Sequence, residues 1–285
     1  MAATIPFHSE RATEDGICVV KVGGAVVENP ETMAALLDSF TKLKGMKMLV
    51  HGGGRSATRM AERLGIETTM VDGRRVTDAS MLDVVTMVYG GLVNKQIVAA
   101  LQARGINALG LTGADLNLIK AHRRPLTPEG VDFGWVGDVE AADGERLLSL
   151  MTQGITPVLA PLTHDGCGHM LNTNADTMAA TAAAALAKAV RTASQHGSIS
   201  QHSAEQTPVT LTYCFELPGV MRDADDATSL IKEIDKPLFG QLVKDGVVKG
   251  GMIPKLENAF NSIHNGVSRV VITRFDHIDG GTSVV

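Results

Sequence analysis

Residues 17–24, ICVVKVGG, and residues 46–54, MKMLVHGGG, each contain a short apolar run that ends in consecutive glycines. Such runs, rich in β-branched residues and bounded by turn residues, are typical of buried strands. Between them, Asn29-Pro30 predicts a helix start, and apolar residues recur at helical spacing up to Leu43. A strand, a helix and a second strand in this order predict a right-handed βαβ unit with parallel strands.

The alternation of strands and helices continues to the C-terminal region. Further strands are predicted at 107–111, 156–160, 209–215 and 269–273, and helices at 56–64, 78–104, 144–153, 177–190, 236–245 and 253–264. The long helix at 78–104 should soften at Gly90-Gly91, and Pro125–Gly137 predicts a small hairpin or a lid. The pattern therefore predicts an α/β fold whose mostly parallel sheet is covered on both faces.

Composition excludes several classes of protein. The chain has 285 residues, 44% of them hydrophobic and 20% charged, with a formal net charge of −5. This length allows one large domain or two smaller ones, and the acidic balance argues against a general nucleic-acid binder. Three cysteines without paired spacing exclude a disulfide scaffold and fit a reducing cytoplasm. No run of 18 uncharged apolar residues predicts a membrane span, and the polar N-terminus lacks a signal core.

Two polar segments divide the chain. Residues 1–16 predict a loosely ordered lead-in, and residues 191–208 predict a mobile, solvent-exposed insertion rich in Ser, His and Gln. His196 and His202 raise the alternative of metal binding there, but the composition favours a flexible loop. The remaining residues then form an N-terminal lobe over 17–190 and a C-terminal lobe over 209–285.

Glycine-rich turns after strands are where open α/β sheets bind ligands. Three consecutive glycines, Gly52 to Gly54, predict an anion cradle of backbone amides at a helix N-terminus. The preceding His51 is better explained as a packed scaffold residue than as a base. Lys21 precedes Gly23 and ends a buried strand, where it either reaches solvent or points its ammonium at an anion.

Three further stretches carry candidate binding residues. Of the adjacent Arg74 and Arg75, at most one should face a site, where its guanidinium would suit a planar carboxylate. An extended approach to the Ala-rich helix would place three polar residues on one face, although helix capping is the alternative; they are Asn172, Asn174 and Asp176. Lys255 falls in the first turn of a helix, where the dipole disfavours a cation and a bound phosphate would remove the conflict.

With these residues in hand, the chain resembles the amino-acid kinase family from about Ile17 to its C-terminus. Six motifs carry the resemblance, in family-like order and spacing: VVKVGG (19–24), LVHGGG (49–54), GRRVTD (73–78), LNTNADT (171–177), PGV (218–220) and GGMIPK (250–255). The resemblance implies a three-layer αβα sandwich with a mostly parallel central sheet. The chain departs from the family at Cys214-Phe215-Glu216, where relatives often carry a small polar residue followed by Asp.

The resemblance also implies residue roles. Lys21 and Lys255 would stabilise the transferring phosphoryl group, and Asp176 would organise the two lysines. Backbone at three glycines would contact the nucleotide: Gly23, Gly24 and Gly219. Five residues would line the acylglutamate site, with the arginine and the first asparagine holding the α-carboxylate: Gly53, Gly54, Arg75, Asn172 and Asn174. The N-terminal lobe would bind acylglutamate and the C-terminal lobe ATP.

The activity that this implies is ATP-dependent phosphorylation of the side-chain carboxylate of N-acyl-L-glutamate to the γ-glutamyl phosphate, the second step of arginine biosynthesis. Acetyl and succinyl remain open as the acyl group. Mg²⁺ would be held mainly by the nucleotide phosphates, because no acidic cluster is evident. A cytoplasmic homodimer without nucleic-acid or membrane partners is expected. The alternatives are another amino-acid or carboxylate kinase of this fold, and a non-catalytic, metabolite-sensing member.

Overall fold

The protein folds around a central sheet whose first strand is the apolar run at Ile17–Val22. A computed structural model describes residues 16–195, 207–223, 226, 228–250, 252–278 and 280–285. The lead-in, apart from Gly16, and the central part of the insertion, residues 196–206, lie outside the described residues, as do His196 and His202.

The described strands follow the predicted order, with additional short strands. They are β1 (Ile17–Val22), β2 (Met46–His51), β3 (Met70–Val71), β4 (Arg74–Arg75), β5 (Ala108–Leu111), β6 (Ile119–Arg123), β7 (Val136–Ala142), β8 (Thr156–Leu159), β9 (Leu162–His164), β10 (Met170–Thr173), β11 (Val209–Phe215), β12 (Glu233–Ile234), β13 (Arg269–Arg274) and β14 (Thr282–Val284).

The described helices alternate with these strands. They are α1 (Gly24–Glu28), α2 (Pro30–Lys42), α3 (Gly54–Arg63), α4 (Ala79–Val85), a π-helix (Thr86–Val93), α5 (Asn94–Gln102), a 3-10 turn (Asp115–Asn117), α6 (Gly144–Thr152), α7 (Ala175–Gln195), α8 (Lys236–Lys244) and α9 (Met252–His264). As predicted, the Asn29 side chain caps α2 by accepting from the amides of Glu31 and Thr32.

Within the described ranges, eight strands form the central sheet in the order β12-β14-β13-β11-β1-β2-β8-β5. All the pairs in this sheet are parallel except β13 with β14, which confirms the mostly parallel sheet. Two buried apolar clusters cover its faces: one contains Val19 with residues of α6, α7 and α9, and the other contains Val20 with residues of α2 to α5. Alternate residues of β1 thus enter opposite layers of a three-layer αβα sandwich.

A second, smaller sheet was not predicted. Strands β10, β7, β6 and β9 close on one another beside the main sheet. The Pro125–Gly137 segment supplies the connection of its β6–β7 hairpin, which confirms the hairpin alternative, although Gly137 already belongs to β7. The strands escape sequence detection because β7, VGDVEAA, has charged residues on a half-buried surface and little apolar alternation.

The predicted long helix contains a π-helical segment around Gly90-Gly91, where softening was expected. By length and composition alone, residues 79–102 could cross a membrane, although Asp83 and Lys95 interrupt the apolar run. Core helices pass the same test, and Val84, Val85 and Val88 are buried against the sheet.

Several predicted boundaries were wrong. The Ala-rich helix α7 begins at Ala175 and runs to Gln195, five residues past the predicted end at Val190. It continues because residues 191–195 include good helix formers such as Arg and Ala, although they lack the apolar spacing on which the prediction depended. The short helix α1 directly after Gly23 was missed, since five residues carry too little periodicity to detect. The division into two lobes stays a prediction.

Candidate active site

Two glycine turns at the carboxyl ends of β1 and β2 pack directly against each other. A Cβ atom on Gly24 would lie 3.0 Å from the Gly53 backbone nitrogen, and one on Gly52 would lie 2.8 Å from the Gly24 nitrogen. A Cβ on Gly53 would also meet the Tyr89 ring at 2.9 Å. Glycine is therefore required here by the close approach of the two backbones. As a result, the N-termini of α1 and α3 meet at the carboxyl ends of β1 and β2.

A buried carboxylate holds the second turn in place. Glu28 Oε1 accepts a hydrogen bond from the Ser56 amide at 2.7 Å, in the first turn of α3. Its other oxygen lies 3.5 Å from Arg59 Nη1. The favourable interaction of a carboxylate with a helix N-terminus fixes α3 relative to α1.

Lys21 is paired with Asp176 across the face of the sheet. Lys21 Nζ lies 2.7 Å from Asp176 Oδ1, and the two side chains are 9% and 24% exposed. Lys21 lies in β1 beside Tyr213 of β11, and both strands present these residues to the layer that contains α7. Asp176 reaches Lys21 from the first turn of α7, where the helix dipole stabilises a carboxylate.

Lys255 enters the same space from the first turn of α9. Its Nζ lies 4.0 Å from the centre of the Phe215 ring, and Lys21 Nζ lies 5.7 Å from the same ring centre. Burial lowers the pKa of Lys255; the Asp176 carboxylate opposes this shift and the Lys21 charge adds to it. The structure thus brings together two ammonium groups that are 234 positions apart in the chain.

A cleft of about 490 Å³ opens beside this ion pair. Seven predicted site residues line it: Gly53, Gly54, Arg75, Asn172, Asn174, Asp176 and Lys255. Lys21 is not among the residues that line the cleft, but its ammonium pairs with Asp176, which does line it. Gly219 does not line the cleft: a Cβ there would lie 2.6 Å from the Thr282 hydroxyl of β14, so its predicted nucleotide contact stays a prediction.

Arg75 is buried on β4, whereas its neighbour Arg74 is exposed. Arg75 Nη2 donates hydrogen bonds of 2.9 Å to the Gly54 carbonyl and to the Thr58 hydroxyl. Its Nη1 makes longer contacts, 3.4 Å to the Thr68 hydroxyl and 3.9 Å to the Met81 sulfur, and the guanidinium also interacts with the Tyr89 hydroxyl. The guanidinium is therefore held against the first turn of α3.

The segment is not extended as far as Asp176, which lies in the first turn of α7, but all three polar residues of the expected ladder line the cleft. Asn172 lies in β10, where its side-chain amide donates to the Thr77 hydroxyl at 2.9 Å. Asn174 precedes α7, and its Oδ1 accepts from the Thr177 amide at 3.0 Å, so it acts as the helix cap. The capping alternative explains Asn174, although its side chain also lines the cleft.

His51 is a buried scaffold residue, as expected. Its Nδ1 donates to the Gly52 carbonyl at 2.8 Å, and its Nε2 accepts from the Asn94 side-chain amide at 3.2 Å. These partners assign the Nδ1–H tautomer. Burial lowers the pKa of His51 to about 4, so the ring is neutral at physiological pH.

Sequence reasoning missed three residues at the site. Tyr89 lines the cleft from the π-helix, and burial raises its pKa. Arg124 lines it from the β6–β7 connection, and Phe215 lies under both lysines. The available signals were the diglycine after Tyr89 and the departure from the family pattern at Phe215; Arg124 carried none.

Trp135 lies between the segments that carry Asn172 and Thr77. Its carbonyl accepts from the Asn172 amide at 2.8 Å, and its amide donates to the Thr77 carbonyl at 2.6 Å. Its ring stacks on His169 with 5.0 Å between centres, and the Arg123 guanidinium lies 5.2 Å away over the ring. The indole is therefore tied to the same backbone that holds Asn172.

The parallel strands bring together two packed glycine turns and two lysines. These supply backbone amides and positive charge, which a phosphoryl-transfer site needs because positioning and charge stabilisation dominate that chemistry. The model of the amino-acid kinase family matches residues 16–193, and the chain belongs to that family.

Among its relatives, an acetylglutamate kinase of Parabacteroides distasonis is 54% identical over 265 residues, covering 93% of this chain and 96% of the relative. An acetylglutamate kinase of Bacteroides thetaiotaomicron is 56% identical over 257 residues, covering 90% and 93%. The crystal structure of smu.665 from Streptococcus mutans UA159 superposes with a TM-score of 0.71 at 24% identity, covering 95% of this chain and 99% of that one, and shares the fold.

Proposed function

We propose that the protein transfers the γ-phosphoryl group of ATP to the side-chain carboxylate of N-acetyl-L-glutamate, giving the γ-glutamyl phosphate in arginine biosynthesis. The observation that carries the proposal is the 54% identity, over 93% of the chain, to a relative named for this activity. The cleft supports it independently, because Arg75 and the two lysines offer the positive charge that this reaction needs and Asn172 offers an amide.

The reaction needs no general base. The nucleophile is the substrate carboxylate, whose ordinary pKa of about 4.3 leaves it ionised at neutral pH. The difficulty is to bring this anion against the phosphates, and the protein answers it with positive charge and backbone amides. In this proposal, Lys21 and Lys255 neutralise the transferring phosphoryl group, Asp176 holds Lys21, and amides of the turns at Gly24 and Gly53 contact phosphate oxygens.

Mg²⁺ would enter on the nucleotide. Within the described residues, no group of three or more His, Cys, Asp or Glu side chains could hold a metal by itself. Asp176, the acidic side chain that lines the cleft, is committed to Lys21 at 2.7 Å. Phosphate oxygens and water are ligands that suit Mg²⁺, which would add positive charge where the phosphates meet the carboxylate.

Arg75 and Asn172 would hold the α-carboxylate. Both residues line the cleft, and the Asn172 side chain is oriented by the hydrogen bond that its amide donates to the Thr77 hydroxyl. Both hydrogens of Arg75 Nη2 are donated to Gly54 and Thr58, so a charge-assisted hydrogen bond from Nη1 would hold the carboxylate. The side-chain carboxylate of the substrate then extends towards the lysines.

N-succinyl-L-glutamate is the second candidate, and Arg124 favours it. Arg124 Nε and Nη2 bind Asp138, at 3.1 and 2.5 Å, while its buried Nη1 has no hydrogen-bond partner among the described residues. A second carboxylate, on a succinyl group, would supply an anion for this arginine. The comparison of kcat/KM for the two acylglutamates, in the wild type and in Arg124→Gln, decides between them: only a succinyl substrate should lose strongly.

The activity itself is tested by trapping the acyl phosphate. Purified protein, MgATP and either acylglutamate are incubated with hydroxylamine, and the hydroxamate and ADP are measured. Equal formation of both products supports the proposal. ADP formation only with glutamate, aspartate or carbamate would favour another kinase of this fold, and nucleotide binding without turnover would favour a metabolite sensor.

We also infer a cytoplasmic homodimer. Three large apolar side chains are exposed on two elements that both pack against α5: Met87 and Leu92, on the π-helix, are 55% and 44% exposed, and Leu109, on β5, is 38% exposed. β5 is the edge strand of the described central sheet. A second copy of the chain would cover both the apolar helix face and the sheet edge.

A further inference from the structure

The Phe215 ring is shared by the two lysines of the candidate site. Phe215 ends β11, two residues after Tyr213, so both side chains face the layer from which Asp176 approaches. Tyr213 stacks on Phe215 with 6.4 Å between ring centres and 20° between planes, which holds the ring in place. The closest approach is that of Lys255, whose Nζ lies 4.0 Å from the ring centre.

Charge in the free protein is unbalanced at this point. Lys21 has a carboxylate partner in Asp176, but Lys255 makes no ion pair within the described part of the chain and lies at the N-terminus of α9, where the dipole repels a cation. Lys21 repels it as well, and burial lowers the pKa of Lys255. The titratable groups that face it are Asp176 and Lys21, with the Tyr213 hydroxyl beside Asp176.

An aromatic face can replace the missing carboxylate. The face of a benzene ring carries partial negative charge, and a cation within about 6 Å of its centre gains roughly 0.5–2 kcal/mol, depending on desolvation. Unlike a carboxylate, the ring does not bind the ammonium so tightly that an incoming phosphate must break an ion pair. It also adds no formal negative charge that would repel the nucleotide.

We propose that Phe215 is a positioning residue whose ring face holds the Lys255 ammonium in place in the free protein and still holds it beside the phosphoryl group during transfer. The proposal rests on the phosphotransfer proposed above. It assigns to Phe215 an electrostatic role through its ring face, and not merely a packing role.

The sharpest test changes the electrostatics of the ring and keeps its shape. Site-specific incorporation of 4-fluoro-, 3,5-difluoro- and pentafluorophenylalanine at position 215 progressively removes negative charge from the ring face. We expect kcat to fall stepwise, about three- to thirtyfold in total, while KM for the acylglutamate stays unchanged. Phe215→Tyr should stay within about twofold of wild type, and Phe215→Leu should match the pentafluoro variant.

A second measurement does not depend on turnover. The Lys255 pKa is read in substrate-free protein from the NMR shift of its ¹³C-methylated amine, assigned by its loss in Lys255→Arg. Because the ring favours the charged form, the pKa should fall by about half a unit to one unit in Phe215→Leu. Phe239→Leu is the matched control, since the Phe239 ring pairs with that of Phe260, 5.5 Å away between centres, whereas Lys255 lies over the Phe215 ring; this variant should leave the Lys255 pKa unchanged.

An unchanged Lys255 pKa in both Phe215→Leu and the pentafluoro variant would overturn the positioning role, as would a kcat that is insensitive to fluorination. If the wild type phosphorylates neither acylglutamate, the proposed function fails. The titration still reports on Phe215 in that case, so the two failures are distinguishable.

Discussion

The Gly24 backbone nitrogen occupies the space next to Gly52 that a side chain would need, because a Cβ on Gly52 would lie 2.8 Å from it. Backbone cannot move aside as a side-chain end can, so Gly52→Ala should force the two turns apart. We expect a loss of about 1–3 kcal/mol in the free energy of unfolding, measured in urea, together with weaker ATP binding. Gly23→Ala is the matched control for stability, since a Cβ there would meet nothing within 4 Å; equal losses in both variants would contradict the steric argument.

Removal of either converging ammonium should stop catalysis. Lys21→Ala and Lys255→Ala should each lower kcat about a hundredfold or more, the scale of losing a preorganised charge donor. Lys255→Ala should unfold at nearly the wild-type temperature because its side chain is only half-buried. The exposed Lys249, in the turn before α9, provides the control Lys249→Ala. Full activity in either site variant would remove that lysine from the proposed roles.

Arg75→Lys should mainly raise KM for the acylglutamate, by about tenfold or more, because a single ammonium cannot be held against α3 by one nitrogen and bind a carboxylate through another, as a guanidinium can. The hydrogen bonds of Arg75 to Gly54 and Thr58 would be lost as well. Steady-state kinetics with the acylglutamate varied at saturating MgATP measures this effect. The exposed Arg63, at the end of α3, gives the control Arg63→Lys; a KM that is equal in both variants would exclude Arg75 from substrate binding.

His51 should make the protein less stable in mild acid. Its pKa in the folded state is about 4, below the ordinary 6.5, so the unfolded chain binds the proton more readily. Its contribution is present above pH 6.5 and is lost as the pH falls towards 4. Between pH 7 and pH 5 the expected loss is about 2 kcal/mol, measured by urea unfolding. His51→Asn should flatten this pH dependence and the exposed His264→Asn should not; identical slopes would refute the assignment.

The proposed dimer depends on apolar side chains outside the core. Leu92→Glu would place a charge on the exposed face of the π-helix, at a position that is 44% exposed, and should shift the protein to monomers in sedimentation experiments. Because Leu92 is not buried in the single chain, folding of the monomer should be little affected. The exposed Leu64, at the end of α3, supplies the control Leu64→Glu; a dimer that persists in Leu92→Glu would move the interface elsewhere.

The sequence predicts the central sheet well, because strands such as β1 and β2 are continuous apolar runs that end in glycines. It predicts the smaller sheet poorly, since β7 is half-buried and polar in part, and its pairing with β10 depends on contacts distant in sequence. The site follows the same division. The glycine turns can be predicted from consecutive glycines after strands, and Lys255 from a cation in the first turn of a helix. The structure shows the geometry of the ion pair between Lys21 and Asp176.

Arg124 and Phe215 show why the rest of the site could not be read from the sequence. Arg124 has no local signal, and Phe215 has only its departure from the family pattern. The importance of each arises from what long-range folding places beside it: Asp138 and the cleft for Arg124, two ammonium groups for Phe215. Asn174 combines the two alternatives that the sequence left open, because its side chain caps α7 through the Thr177 amide and the residue also lines the cleft.

Trp135, the single tryptophan of the chain, is an intrinsic fluorescent probe. Because its peptide groups bond to the backbones of Asn172 and Thr77, its fluorescence should respond when the acylated amino acid settles in the cleft. A titration without any nucleotide would then give the dissociation constant of that substrate alone, in the unmodified protein and without a label. The order in which the two substrates bind becomes measurable by stopped flow.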